Sequence, residues 1–256
     1  MFGHGRLLAA AAAVGAAALA SPATVAPTSG ATAPTASLYV VQALPGASVT
    51  VTVDGREREA AIAVGRVVGP LHLAAGSHQV ELTWDGGSSA TQIRLGARSS
   101  TDLVLHRPAS VRGDPVTTSY RVPTRPIGPG KARLVLAHTA TVPPADARFD
   151  GKVVFTDIAN GEFARADVPA GAHRVALLPT GATSHPILGP LGLSLAPRTV
   201  TMVYAVGSPT NGSMDVVSHV EGIGADGTAY PVRIDTGSAG LVAGVPVTSF
   251  TSTRPR

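Results

Sequence analysis

The chain has 256 residues, a formal net charge of +4 and no cysteine, and only 14% of its residues are charged. Lys occurs only at positions 131 and 152, and no basic run exists, so the sequence lacks the concentrated basic stripe of a nucleic-acid-binding protein. Without cysteine, disulfides and thiolate metal sites are excluded. The 29 Gly and 21 Pro, with only 4% aromatic residues, favour many short strands joined by tight turns.

The N-terminal residues 1–20 are predicted to be a signal peptide. Arg6 supplies a positive charge, residues 7–20 are apolar, and residues 18–20 read Ala-Leu-Ala, a cleavage site ahead of Ser21. The apolar run is shorter than the roughly 20 residues of a membrane span. We therefore expect a secreted or cell-envelope-associated protein whose mature chain has no transmembrane span. Residues 21–36 contain only small residues, Pro, Thr and Val, and predict a spacer.

The sequence then repeats itself. Residues 38–41 and 53–56 correspond, in order and spacing, to residues 134–137 and 149–152. The octapeptide AGSHQVEL at 75–82 matches AGAHRVAL at 170–177, and RSST at 98–101 matches RTVT at 198–201. Four ordered blocks predict two copies of one unit. We assign module 1 to 37–122, a linker to 123–130, module 2 to 131–221 and a Gly-rich tail to 222–256.

Within each module the apolar residues have a period of two. Val49, Val51 and Val53 alternate with polar residues, as expected of strands with one buried face. An Asp-Gly pair follows this strand in each copy and tolerates the positive φ angles of a tight hairpin turn. The pattern predicts an all-β protein with two tandem β-sandwich modules. Because the linker is rich in Pro and Gly, we expect the modules to share little core.

The chain has an opening strand, a loop, a strand ending in V-D-G and then the segment L-x-A-G-x-H-x-V. This order of segments resembles the domain-of-unknown-function family 4397. The resemblance covers roughly 37–221 and implies immunoglobulin-like or transthyretin-like sandwiches of secreted bacterial proteins, often in tandem, with no established activity. Family members often carry a His and a Pro-rich loop after the first strand. Module 2 has His138 and 143–144 (Pro-Pro), whereas module 1 has Gln42 and Pro45. This departure argues against a chemistry that both copies share.

The repeated positions are the candidates for a structural or binding role. They are Asp54, Gly55, Gly76 and His78 in module 1, and Asp150, Gly151, Gly171 and His173 in module 2. Each histidine has the parity of the inward-facing apolar residues of its strand, so we interpret it as a packed residue at the rim of a core that donates to a backbone carbonyl. A zinc site would need three or four ligands, and calcium needs six to eight oxygens. We predict no metal and no cofactor.

Two short motifs suggest activities that their contexts do not favour. Residues 235–238 read D-T-G-S, as around the catalytic carboxylate of aspartic proteases, but such enzymes need two carboxylates facing one water. The chain that follows is too short to complete such a domain. Residues 112–114 read R-G-D, the integrin-binding tripeptide. We interpret both motifs as turns and predict no catalytic residue.

These observations favour a non-enzymatic binding or structural protein whose partner is an unknown envelope polymer or protein, and not a nucleic acid. One alternative is a hydrolase of envelope polysaccharide or peptide, which for a glycosidase requires a carboxyl pair about 5 to 10 Å apart in a cleft. Another is a surface protein handled by a sortase, although no L-P-x-T-G sequence is present.

Overall fold

The computed structural model describes residues 34–110 and 112–235. The predicted signal peptide, residues 21–33 of the spacer and residues 236–238 of the D-T-G-S motif lie outside the described residues. Within them the chain is all-β, and the one helical element is a single 3₁₀ turn at Pro209–Asn211. The predicted fold class is confirmed.

Seventeen strands follow one another along the described chain. Those of module 1 are β1 (Thr35–Gln42), β2 (Val49–Val53), β3 (Arg56–Ile62), β4 (Val67–Ala74), β5 (Gly76–Trp84), β6 (Gly87–Leu95), β7 (Ser100–His106) and β8 (Val116–Arg121). Those of module 2 are β9 (Lys131–His138), β10 (Ala145–Phe149), β11 (Lys152–Ile158), β12 (Phe163–Pro169), β13 (Gly171–Pro179), β14 (Leu188–Leu195), β15 (Thr199–Val206), β16 (Asp215–Ile223) and β17 (Ala229–Asp235).

The two modules have the same strand topology. Module 1 contains the sheets β4-β1-β7-β8 and β3-β2-β5-β6, and module 2 contains β12-β9-β15-β16-β17 and β11-β10-β13-β14. The pairs β1/β7 and β9/β15 are parallel, and the other pairs are antiparallel. Strands β1 to β8 therefore correspond one to one with β9 to β16. The sequence repeat is a structural repeat of eight strands.

Each sandwich buries the alternating apolar residues that the sequence indicates. In β2, Val49, Val51 and Val53 are at most 1% exposed and lie in the core between the two sheets of module 1. The corresponding core of module 2 contains Ala147 and Phe149 of β10. Burying one valine or phenylalanine side chain stabilises the fold by about 1.5 to 3 kcal/mol.

A third core joins the two modules. It consists of Tyr39, Val41, Ala43, Val67, Val104, Tyr120, Val122, Val135, Ala137, Val200, Met202, Tyr204, Val206, Val217 and Ile223. This differs from the expectation of two modules with little shared core. The reason is that every residue of β7 and of β15 is buried, so these strands have two buried faces instead of one. The Pro/Gly-rich linker does not hold the modules apart, and its Ile127 packs against this core.

The predicted tail contains a strand. β16 runs to Ile223, and β17 pairs with it in antiparallel fashion after a turn in which Asp226 accepts from the Thr228 backbone and hydroxyl. The Tyr230 ring lies directly over Gly222 and leaves no room for a side chain at that position. Asp235 is the last residue of β17 and does not lie in a turn. β1 likewise begins at Thr35, within the predicted spacer.

Because the modules share a core, we expect them to unfold together. Leu82→Ala in the core of module 1 and Met202→Ala in the shared core each remove a fully buried side chain, at a cost of about 2 to 5 kcal/mol. Differential scanning calorimetry of the full chain should show one transition, and both variants should lower its midpoint. Two transitions, of which Leu82→Ala moves only one, would contradict the shared core.

Candidate functional site

The Asp-Gly hairpin and the A-G-x-H segment, which occur in both modules at nearly the same spacing, contact each other in module 1. Asp54 and Gly55 both have positive φ, at 50° and 72°, as a tight turn between β2 and β3 requires. The Asp54 carboxylate lies 2.7 Å from Nδ1 of His78 and accepts the backbone N–H of Gln79 at 2.9 Å. Nε2 of His78 is 2.8 Å from the carbonyl of Ala74. The Asp-His pair thus fastens the β2–β3 turn to β5.

Module 2 repeats this arrangement. The Asp150 carboxylate lies 2.7 Å from Nδ1 of His173 and accepts the backbone N–H of Arg174 at 2.8 Å. Nε2 of His173 lies 2.9 Å from the carbonyl of Pro169, and its ring packs on Phe149. Both histidines lie at the rim of a core and contact a backbone carbonyl. The two Asp-His pairs are referred to below as the hairpin latches.

The charges within the latches shift pKa values in the direction that favours an ion pair. The hydrogen bond to His78 holds the pKa of Asp54 below its ordinary value, and the same bond raises the pKa of His78. In module 2 the hydrogen bond to His173 lowers the pKa of Asp150. Both carboxylates are about half exposed, so solvent weakens these interactions.

Gln42 and His138, where the two copies differ in sequence, have the same structural task. The buried Gln42 side chain donates to the carbonyls of Leu44 and Ala47 and accepts from the Leu44 backbone. His138 contacts the carbonyl of Pro143 at 3.3 Å. Each side chain holds the loop that follows the first strand of its module. Burial lowers the pKa of His138, which favours the neutral ring.

A cluster of ionisable side chains lies inside the shared core. Asp102 of β7 is 0% exposed, and its Oδ2 is 2.6 Å from Nε2 of His219 on β16. The Tyr204 hydroxyl of β15 donates to the same carboxylate oxygen. Ser100 of β7 donates to Glu221 of β16 at 2.5 Å. These five residues, with Tyr39 stacked on the His219 ring, form the inter-module polar cluster.

Burial and mutual charge set the protonation of this cluster. Burial opposes the charged form of His219, but the Asp102 carboxylate, its hydrogen bond and the Glu221 charge outweigh burial and raise the pKa of His219. Burial raises the pKa of Glu221, and the Ser100 hydrogen bond opposes that shift. Burial and the neighbouring Asp102 also raise the pKa of Tyr204, which remains a hydrogen-bond donor. The Asp102–His219 contact is therefore a buried carboxylate–imidazole hydrogen bond that crosses the module interface.

Sequence reasoning overlooked this cluster. Asp102 stands directly before the apolar run 103–105 of β7, and His219 and Glu221 flank Val220 of β16. An ionisable residue beside such apolar residues is the one signal that could have singled them out. That signal does not give the partner, because the hydrogen-bonded residues are more than a hundred positions apart in sequence.

A groove on the surface of module 1 is the second candidate site. It has a volume of about 270 Å³ and opens between the edge strands β6 and β8. Its lining includes the buried side chains of Ile93 and Leu103 and the exposed Arg94 and Arg121. The remaining lining residues carry mostly hydroxyl or amide groups; they are Thr91, Gln92, Gly96, Ser99, Thr101, Thr117 and Ser119. Nothing in the sequence indicates this groove, because its two sides come from the strands β6 and β8, which only the fold brings together.

The remaining motifs form no site in the described structure. Gly113 and Asp114 of the R-G-D motif lie in the loop that joins β7 to β8. No three His, Asp or Glu side chains within residues 34–110 and 112–235 are placed to bind a metal ion. In the same part of the chain, no helix is long and apolar enough to cross a membrane.

The sequence of module 1 matches a known protein family. A family model described as "Domain of unknown function (DUF4397)" matches residues 36–145, from β1 through module 1 to the start of β10. The match confirms, over these residues, the resemblance drawn from the V-D-G and A-G-x-H segments. No curated protein matches the chain. The common strand order extends the architecture of the matched region to module 2.

Removing the Tyr204 hydroxyl should destabilise the module interface. Tyr204→Phe keeps the ring but deprives the buried Asp102 carboxylate of a donor, at a cost of about 1.5 to 3 kcal/mol. Tyr120→Phe is the matched control, because its hydroxyl donates to the neutral carbonyl of Gly161 and its loss should cost only about 1 kcal/mol. Denaturant unfolding measures both. Equal losses would show that the carboxylate of Asp102 does not strengthen the Tyr204 bond.

The hairpin latch of module 1 should make a pH-dependent contribution to stability. The raised pKa of His78 means that the ion pair is complete below the ordinary His value of 6.5 and is lost as pH rises through the folded value. The lowered pKa of Asp54 means that it is present above the ordinary Asp value of 3.8 and is lost as pH falls through the folded value. The latch is therefore strongest between these two ordinary values.

Asp54→Asn tests this dependence, since Asn also tolerates the left-handed backbone of the turn. Because the carboxylate is 45% exposed, the loss should stay below about 1 kcal/mol near pH 5.5 and shrink towards about pH 8.5. Glu57→Gln, on the exposed strand β3, is the control and should not show this profile. A loss that is constant across this pH range would contradict the ion pair.

Proposed function

We propose that the chain is a secreted, non-enzymatic binding protein of the bacterial cell envelope, built as one rigid body from two β-sandwiches. The location follows from the predicted signal peptide at 1–20 and from the family resemblance, which is one of secreted bacterial proteins. The architecture supports a scaffold whose outer strands, turns and groove meet a partner.

The burial of the inter-module polar cluster is the observation that supports the non-enzymatic part of this proposal. It gathers a serine, a histidine and two carboxylates, the residue types from which hydrolases build their sites. Ser100, His219 and Glu221 are only 1 to 2% exposed, so no polysaccharide or peptide reaches them. Each hydrogen bond joins β7 to module 2, and the cluster therefore fixes the two sandwiches to one another. Ionisable groups that a hydrolase would present to its substrate here serve to hold a scaffold together.

Co-sedimentation with envelopes tests the proposal. The mature chain, beginning at Ser21, should sediment with isolated envelopes of the producing bacterium and should release neither reducing sugars nor peptides from them. An unrelated β-sandwich protein of similar charge is the control for non-specific adsorption. Failure to sediment above that control would refute the binding role. Release of soluble sugars or peptides that Ser100→Ala abolishes would instead support the hydrolase alternative.

A further inference from the structure

We propose that the groove of module 1 binds an acidic polysaccharide, with Arg94 and Arg121 as the groups that recognise its anionic substituents. This inference rests on the proposed binding function and specifies its site and ligand class. Three observations carry it: the composition of the groove, the freedom of its two guanidinium groups, and the contrast with module 2.

The groove presents positive charge and hydroxyl groups without a compensating carboxylate. None of its lining residues is acidic, and both arginines are exposed. The ion pairs formed within the described residues involve neither guanidinium group. Arg121 extends over the turn at Gly96, where its Nη2 would lie 3.4 Å from a side chain placed on that glycine. Both cations are therefore available to a ligand.

The residues of β8 that face the groove stand where a sandwich ordinarily has core residues. Thr117, Ser119 and Arg121 alternate with Tyr120, which points the other way into the shared core. Thr117 bonds to Thr91 of β6 across the groove at 2.6 Å. A strand that turns hydroxyl and guanidinium groups toward the inside of a sandwich leaves that edge open to water instead of closing it.

Module 2 provides an internal comparison for each wall of the groove. On the β8 side, the register against β7 and β15 equates Thr117 with Val216 and Arg121 with Val220. The latter valine is 6% exposed, so the position is closed in module 2.

On the β6 side, the register against β5 and β13 equates Thr91 with Leu191 and Arg94 with Ser194. Both arginines and the bridging pair of threonines are thus absent from the second copy. Since the repeated framework is the same, the fold itself does not require these groups, which points to a ligand.

The chemistry of the groove selects the ligand class. A guanidinium group offers paired donors that match a carboxylate or a phosphate, and binds them better than it binds a neutral hydroxyl. The serine and threonine hydroxyls that line the groove can exchange hydrogen bonds with sugar hydroxyls. The groove lies between the edge strands β6 and β8 and opens to solvent, so part of an extended chain can enter it. An acidic polysaccharide combines the anionic groups, the hydroxyls and the extended form.

Binding of the mature full-length protein to immobilised polymers tests the proposal. The probes are polygalacturonic acid as a carboxylate polysaccharide, phosphorylated dextran as a phosphate polysaccharide and pullulan as a neutral polysaccharide. We expect binding to one or both anionic polymers and not to pullulan, with the stronger of the two identifying the anion. Arg94→Ser and Arg121→Val, which introduce the residues of module 2, should each weaken binding about tenfold. The double variant Arg94→Ser/Arg121→Val should bind the anionic polymers no more strongly than the unchanged protein binds pullulan.

The double variant Arg165→Ser/Arg174→Gln is the matched control, because it removes two exposed arginines from module 2. It should bind as the unchanged protein does. An equal loss in both double variants would show general charge attraction and overturn the groove assignment. Binding to envelopes but to neither anionic polymer would overturn the ligand class while leaving the proposed binding function intact. Absence of binding to envelopes as well would refute both. Each variant should retain the unfolding midpoint of the unchanged protein, which separates loss of binding from loss of structure.

Discussion

The strands β7 and β15, and most of β1 and β9 beside them, are buried on both faces, and this burial determines the rest of the architecture. A two-sheet sandwich covers one face of such a strand, so the other must be covered by a further layer. Here each module supplies that layer for the other, and the shared core includes Val104 and Met202 at its centre. The consequence is one body of four stacked sheets in place of two tethered domains. The outer sheets, with the hairpin latches at their turns, are left to face solvent.

The shared core is asymmetric although the modules are repeats. Asp102 of β7 occupies the position of Met202 in β15, and His219 occupies that of Tyr120, as the registers of the two sheets show. Each ionisable residue of one copy thus stands where the other copy has a less polar one. Two copies of module 1 packed in the same way would bury Asp102 without its histidine partner, because Tyr120 stands at that position, and an unpaired buried carboxylate is strongly unfavourable. The polar cluster therefore favours pairing of module 1 with module 2 over pairing of like with like.

The features that were predictable from the sequence are local in the chain or repeated within it. Val49, Val51 and Val53 identify a half-buried strand by their spacing, and the Asp-Gly pair identifies the turn that follows. The repeat placed both histidines at equivalent rims, and their contacts with backbone carbonyls agree with that interpretation. The Asp partner of each histidine was singled out as a repeated residue, but its contact across the sheet was not predicted.

Features that depend on distant strands were not predictable in the same way. Strand β17 has apolar residues at a spacing of two, Tyr230, Val232 and Ile234. Tyr230 and Val232 are nevertheless exposed, so this alternation neither marks a face packed on a core nor indicates which strand β17 pairs with. The short apolar runs at 103–105 in β7 and 202–206 in β15 are compatible with a second buried face, but they do not indicate which surface covers it. The groove depends on an inward-facing Arg121 whose direction follows only from the pairing of β8 with β7.

Strand β8 shows how one repeat unit can serve two purposes. Tyr120 and Arg121 are neighbours in sequence, and the alternation of a strand sends them to opposite faces. Tyr120 reaches into the shared core and bonds to Gly161 of module 2, whereas Arg121 lines the groove. A shift of the register of β8 by one residue would exchange the two, burying a guanidinium in the apolar core and opening the module interface. The packing that joins the modules therefore also fixes the arginine in the groove, so the integrity of the interface and the presentation of the groove depend on the same strand register.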